Sequence, residues 1–337
     1  VLAKQLNFSL RDFNTFGIAA VCKELYIINS LEDLTDLPKD RTYKVLGGGS
    51  NVLCNDYIDA SLIKIEIPGI EVVTQDDKTI DLEVGAGVVW HDLVQYAVSE
   101  GYGGLENLTL IPGTVGAAPV QNVGAYGVEQ DQLMVSLRAY DLQTREAVSM
   151  SREDRQFGYR DSRFKSREKG RYVITHVTYR LSKVDHVIKT TYGAILDKLA
   201  EMDVTEPTIA DVSRAVAAIR TFKLPDPREV PNAGSFFKNP VIPKPQFDDL
   251  LGERPDLVYY PLADDLYKVP AGWLIDQCGY RGKQVGNVGC YKNQALVIVN
   301  HGGATGAEIR AFSREIQRTV LDKFGIHLIP EVNHWGF

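Results

Sequence analysis

Ile111-Pro112-Gly113-Thr114-Val115-Gly116-Ala117-Ala118-Pro119, continued by Asn122-Val123-Gly124-Ala125-Tyr126-Gly127, is too small and glycine-rich for a helix or a strand. It is also too apolar for a linker exposed to solvent. A second glycine loop, Gly47-Gly48-Gly49-Ser50-Asn51, follows the short apolar run Tyr43-Lys44-Val45-Leu46. Successive backbone N–H groups with no side chain in the way can surround a pyrophosphate, and Ser50 and Asn51 add side-chain donors. A lone triple glycine is more often a tight turn. Two such loops in one region point toward a dinucleotide. Neither G-x-G-x-x-G nor G-x-x-x-x-G-K-[ST] occurs, which disfavours a Rossmann NAD site and a P-loop.

The elements around these loops are mixed. Before them, Leu62-Ile63-Lys64-Ile65-Glu66-Ile67 alternates and stops at Pro68-Gly69, and Ile80 to Val84 alternates and stops at Gly85-Ala86-Gly87. A helix begins near Val89, with Leu93, Val94, Ala97 and Val98 on one face and Gly101 at its end. Strands return at Val135 to Asp141 and at Tyr172 to Leu181. Further on, Thr208 and Asp211 resemble a capping box, and the helix they open turns Val212, Val216 and Ile219 inward before Pro225. Residues 228–247 read as a proline-rich loop. A last helix runs from about Ala307 to Phe324, with a Thr305/Glu308 capping box and Gly325 as its stop. The tail Ile326 to Trp335 reads as a strand interrupted by Pro330. The expected class is α+β, with at least two domains.

Composition narrows the function. The 337 residues are 44% apolar and 24% charged, which excludes a largely disordered chain. No run approaches the ~18 uncharged apolar residues of a membrane helix. The net charge of -7, without a basic block, argues against nucleic acid and anionic membranes as partners. Cys22, Cys54, Cys278 and Cys290 form no C-x-x-C pair, so reduced thiols and a cytoplasmic location are expected. The six histidines are scattered, and no metal-binding pattern is present.

Three further segments have the composition of a site. Phe157-Gly158-Tyr159-Arg160-Asp161-Ser162-Arg163 places arginine beside aromatics, which suits either an exposed strand end or a guanidinium held for a carboxylate. Asn232-Ala233-Gly234-Ser235-Phe236-Phe237-Lys238-Asn239-Pro240 can expose a serine hydroxyl on a sharp turn, or use it merely as a turn residue. It is not G-x-S-x-G, so a hydrolase elbow is unsupported. Glu331, after Pro330 on an apolar strand, is either a strand-edge charge or a buried partner for a cation.

At these residues the chain resembles the bacterial UDP-N-acetylenolpyruvoylglucosamine reductases, FAD enzymes of peptidoglycan precursor synthesis. The matching segments run in family order over nearly the whole chain. They are Asn14-Thr15-Phe16-Gly17, Leu46 to Asn51, Gly104 to Asn107 through Ile111-Pro112-Gly113, Pro119 to Gly127, Phe157 to Ser162, Asn232 to Pro240, Gly272 to Cys278, and Pro330-Glu331-Val332.

The resemblance implies a two-part FAD-binding module of the vanillyl-alcohol-oxidase type, near 1–68 with the tail 321–337 and near 69–205. A smaller α+β substrate-binding domain near 206–320 completes it. FAD would be noncovalent, and no His or Cys lies in either glycine loop. Its contacts would fall on Gly47, Gly48, Gly49, Ser50, Asn51, Pro112, Gly113, Thr114, Gly116, Ala117, Asn122, Gly124, Ala125, Tyr126 and Gly127. The alanines of Gly116-Ala117-Ala118-Pro119 stand where some relatives carry serine, which leaves backbone N–H groups to bind there.

In the implied reaction NADPH reduces FAD and leaves. The enolpyruvyl substrate then takes hydride from flavin N5 at C3. Arg160 and Glu331 would flank the carboxylate, and Ser235 would protonate C2. Tyr192, Lys223, Asn239 and Gln294 would hold the diphosphate, with Tyr159 and Tyr260 also on the substrate. Thr190-Thr191-Tyr192-Gly193 implies the long form, which closes a tyrosine loop over the diphosphate. The resemblance also implies a monomer, the usual state in the family. The rival readings are an alcohol or lactone oxidase of the same flavoprotein superfamily, and a nucleotide-sugar binding protein without catalysis.

Overall fold

The computed structural model describes residues 2–151, 154 and 156–337. They form two compact units, each assembled from separated stretches of chain. The first unit takes residues 1–8, 22–49 and 59–221. The second takes 9–21, 50–58 and 222–337. This partition by contact differs from the functional one drawn above, since residues 206–221 cluster with the first unit.

The first unit holds two sheets. One has the order Lys4–Ser9, Val21–Ile28, Tyr57–Ile65, Tyr43–Leu46, the last two strands running parallel. Helix α1 (Leu31–Thr35), closed by a Ser30/Asp33 capping box, supplies Leu34 to its core beside Tyr26, Ile28, Ile63 and Ile65. The other sheet is antiparallel throughout, in the order Glu146–Ser151, Met134–Asp141, Tyr172–Ser182, Thr79–Gly85, Ile70–Gln75. Helix α2 (Trp90–Ser99) packs Trp90, Leu93, Val94 and Ala97 into the core that this sheet lines. Gly101 ends the turn after it at φ 76°. Trp90 meets Tyr179 edge to face, and its Nε1 donates to the Leu108 carbonyl at 3.0 Å, so its one polar atom is satisfied inside. Helices α3 (Gly193–Glu201) and α4 (Ile209–Lys223) share a third core built from Ile195, Leu199, Val212, Ala215, Val216 and Ile219. The Thr208–Asp211 capping exchange is present in both directions.

The second unit centres on a sheet ordered Asn232–Ser235, Gln294–Asn300, Val288–Tyr291, Gln284–Val285. A smaller sheet pairs Val241–Pro243, Leu266–Lys268 and Tyr260–Pro261. Helices α5 (Lys244–Glu253), α6 (Ala271–Gln277) and α7 (Gly306–Phe324) complete it. The capping box of α7 and Gly325 at φ 64° stand as its sequence requires.

Two expectations need correction. Residues 228–247 are not all loop, because Asn232–Ser235 and Val241–Pro243 are strands and α5 opens at Lys244. Pro245 stands in the first turn of α5, where no intrahelical N–H is needed, so it starts the helix rather than blocking it. The tail is a strand only at Asn333–Trp335, parallel to Val52–Cys54. Before that it runs beside the serine segment through single links, Lys238 N–H to the Ile329 carbonyl and Glu331 N–H to the Phe236 carbonyl. Pro330 has no N–H with which to continue a ladder.

Candidate active site

In the first unit the two glycine loops lie backbone against backbone. A β-carbon on Gly48 would stand 2.8 Å from the Gly113 Cα, and one on Gly47 would stand 2.9 Å from Thr114 Oγ1 and 3.1 Å from the Ala117 methyl. Only glycine permits that approach. Among the described residues the amides of Gly48, Gly113 and Thr114 make no hydrogen bond. Unused amides on closely opposed loops are what a pyrophosphate requires, so the residues present fit FAD. Gly116 and Ala117 behave differently: their amides donate to the Ala86 and Thr114 carbonyls. These two residues shape the loop, and their N–H groups are already spent. Ser50 and Asn51 continue the first loop into the second unit.

The second half of the glycine-rich stretch is a hairpin. Gly124 and Ala125 pair with Glu129 and Val128 around Tyr126 and Gly127, whose φ values of 51° and 80° make the tight turn. Asn122, 1% exposed, holds its base: its Nδ2 donates to Glu129 Oε2, and its Oδ1 accepts from Gln130 Nε2. Gln130 in turn accepts from the Tyr179 hydroxyl. Arg160 sits at the tip of a turn closed by mutual Gly158–Asp161 backbone bonds, at φ 52°. Its Nη2 donates to the Gly124 carbonyl at 2.7 Å, and its guanidinium lies 5.6 Å from the Tyr159 ring centre. The arginine segment is therefore fixed to the glycine hairpin, not left as a free strand end. Tyr192 joins the same place, its ring edge to face with Tyr126 at 5.3 Å between centres.

Sequence reasoning missed two residues here. Arg220, on the last turn of α4, has a buried Nε with no hydrogen-bond partner, and among the described residues no carboxylate pairs with it. Burial lowers its pKa from the ordinary arginine range, and Arg160 lowers it further, against a raising contribution from the Tyr126 hydroxyl. His91 is pushed below the ordinary histidine value, chiefly by burial. Its Nδ1 accepts from the Leu110 amide at 3.2 Å, which fixes the proton on Nε2. An arginine three residues before Lys223 on a helix gives no sign in the sequence of being buried rather than solvated.

The second unit assembles the serine and the glutamate. Gly234, at φ 67°, donates its N–H to Asn232 Oδ1 and breaks the strand register before Ser235. Ser235 is exposed between buried Ala233 and the buried pair Phe236 and Phe237. The Glu331 amide bonds the Phe236 carbonyl at 2.8 Å, and Asn51 Nδ2 reaches the Glu331 carbonyl at 3.3 Å. The Asn14–Gly17 motif explains itself here. Asn14 bridges the Leu10 and Ile18 carbonyls, Phe16 meets Phe236 edge to face, and the Thr15 carbonyl accepts from Asn232. It props the serine segment.

Asn239 and Gln294 come together at the start of α6. Asn239 Oδ1 accepts from the Ala271 amide, and Gln294 Oε1 lies 2.6 Å from where a β-carbon on Gly272 would be. Asn293 donates to the Phe222 carbonyl, which sets Lys223 and Gln294 on neighbouring segments. Tyr260 stands on an outer strand of the smaller sheet, 49% exposed. Cys22, Cys54, Cys278 and Cys290 are free thiols. Among the described residues no His, Cys, Asp and Glu group could hold a metal, and no helix is long and apolar enough to cross a membrane.

Two family models match the chain: the UDP-N-acetylenolpyruvoylglucosamine reductase C-terminal domain over residues 226–335, and an FAD binding domain over residues 37–144. A UDP-N-acetylenolpyruvoylglucosamine reductase of Flavobacterium johnsoniae is 47% identical over 332 residues, covering 98% of each chain. One of Chromobacterium violaceum is 47% identical over 328 residues, covering 96% of each. The crystal structure of a UDP-N-acetylenolpyruvylglucosamine reductase from Thermus caldophilus superposes with a TM-score of 0.68 at 25% identity, over 99% of both chains.

Proposed function

The chain belongs to the UDP-N-acetylenolpyruvoylglucosamine reductase family, FAD-binding oxidoreductases of α+β fold, and on that premise we propose that it reduces UDP-N-acetylenolpyruvoylglucosamine to UDP-N-acetylmuramate with NADPH. The observation that carries the cofactor is the pair of opposed glycine loops with unused amides at Gly48, Gly113 and Thr114. Held there noncovalently, FAD would supply the hydride-transfer chemistry that links NADPH to C3 of the enol ether. Gly47, Gly48, Gly49, Ser50, Asn51, Pro112, Gly113, Thr114, Asn122, Gly124, Ala125, Tyr126 and Gly127 are the residues that would hold it, with Gly116 and Ala117 shaping the loop. In the long form proposed here, residues 1–68 with 321–337 and residues 69–205 serve the cofactor, and 206–320 serve the nucleotide sugar. The protein would work as a cytoplasmic monomer.

The remaining work belongs to side chains. Hydride at C3 builds negative charge on C2 and the carboxylate. Arg160, held rigid by the Gly124 carbonyl, would neutralise that charge where it appears. Ser235 would give its hydroxyl proton to C2. Serine is a weak acid, so the transfer needs the strongly basic carbanion and a route to restore the proton. Glu331, on the segment bonded to Phe236, would order that route. Tyr192, Lys223, Asn239 and Gln294 would hold the diphosphate, with Tyr159 and Tyr260 on the rest of the substrate.

An anaerobic visible spectrum tests the reading. A flavin band that bleaches with NADPH and returns with UDP-N-acetylenolpyruvoylglucosamine supports it. Bleaching without return removes the substrate, and a colourless protein that cannot take up FAD removes the enzyme. Ser235→Ala isolates the second half: NADPH bleaches the flavin at the normal rate, and reoxidation by substrate slows by roughly 10²–10⁴-fold. Normal reoxidation in that variant would overturn the serine's role.

A further inference from the structure

Asn107 is 1% exposed, and its amide joins two segments that are remote in sequence. Its Nδ2 donates to the Tyr126 carbonyl at 3.1 Å and to the Lys189 carbonyl at 2.9 Å. Tyr126 heads the tight turn of the glycine hairpin. Lys189 lies three residues before Tyr192, whose ring meets that of Tyr126. Asn107 Oδ1 is buried with no hydrogen-bond partner. A half-satisfied buried amide costs stability compared with an apolar side chain of the same size. The amide's use therefore lies in its two donors and the carbonyls they hold.

We propose that Asn107 is a positioning residue that latches the Tyr192 segment to the glycine hairpin. This rests on the reading above, in which Tyr192 binds the substrate diphosphate and the hairpin serves FAD. Nδ2 is one atom with two hydrogens, each spent on a different segment, so the two carbonyls are held at a fixed separation. That separation sets the edge-to-face contact of Tyr126 with Tyr192. Asn107 touches neither ligand in this account, and acts through backbone alone.

The test uses the holoenzyme with Asn107→Leu, and Asn107→Ala should the larger side chain fail to fold. Loss of the latch raises KM for UDP-N-acetylenolpyruvoylglucosamine about tenfold, the equivalent of about 1.4 kcal/mol, with kcat changed less than about twofold and FAD content unchanged. In a Tyr192→Ala background the same substitution has no further effect on KM, because the segment it positions has lost its contact. Hydrogen exchange of amides 186–192 quickens in the Asn107 variants with no substrate present. Unchanged exchange overturns the latch whatever the kinetics. Full additivity of the two substitutions also overturns it. If Tyr192→Ala leaves KM unchanged, the diphosphate role of Tyr192 fails, and the exchange result alone then decides whether the latch stands.

Discussion

Arg220 carries a positive charge where the described residues supply no negative one. A half-buried cation whose Nε lacks a partner and whose named polar neighbour is a neutral hydroxyl, Tyr126, is destabilising, and a well-packed apolar replacement removes that cost. Arg220→Met is therefore expected to melt a few degrees higher than the parent. The same change should slow substrate-dependent flavin reoxidation by at least about tenfold, since it removes a second cation from beside Arg160. Thermal melts and stopped-flow traces on the same preparation check both signs, and a variant that is neither more stable nor slower contradicts the argument. At this scale much was legible in the sequence. Ser235 was read either as a serine exposed on a sharp turn or as a mere turn residue, and in the structure it is exposed after Gly234 at φ 67°. Arg220 and Asn107 were not legible, because a charge on a helix and an amide in a loop look the same whether buried or solvated.

Elements were read best where the signal is local. The α7 box and the Thr208–Asp211 exchange depend on residues three apart, and both were found. Thr305→Ala is expected to cost about 1 kcal/mol, read as a lower urea midpoint with an unchanged slope. What failed depended on distant partners. Asn232–Ser235 is a strand because Gln294–Asn300 lies beside it, and the tail is mostly not a strand because Pro330 interrupts the ladder. The glycine loops read individually as loops, while their mutual packing showed only in the fold. Gly48→Ala drives a methyl into the Gly113 backbone. The loops must part, and the purified variant should carry less flavin per protein, measured by the ratio of visible to ultraviolet absorbance. A full complement of FAD would show that the loops tolerate separation.

Across the molecule, burial lowers the pKa of three histidines, His91, His176 and His334, from the ordinary 6.5. For His176 the Arg138 charge adds to the lowering, while Glu83 and Glu71 oppose it; for His334 Arg310 and Arg314 add to it. The unfolded chain binds these protons near pH 6.5 and the folded chain does not. Between pH 6.5 and their lowered folded-state values, therefore, stability falls as the solution is acidified, and outside that window these groups contribute no slope. The melting temperature should drop through that window, and His176→Gln should flatten part of the drop. An unchanged profile in the variant would remove His176 from the explanation.

The two-unit organisation has its own consequence for how the chain is made. The path runs 1–8, 9–21, 22–49, 50–58, 59–221 and 222–337, alternating between units at every break. Val52–Cys54 finds its parallel partner only at Asn333–Trp335, and the Asn14 motif waits for Asn232 and Asn300. On the ribosome, the segments 9–21 and 50–58 can meet each other early, through Val21 and Asp56, but emerge long before the bulk of their own unit. Their contacts with Asn232, Asn300 and Asn333–Trp335 can form only when translation is nearly over. Cutting the gene at residue 221 would not yield two autonomous halves, but two fragments that can recover structure only by finding each other.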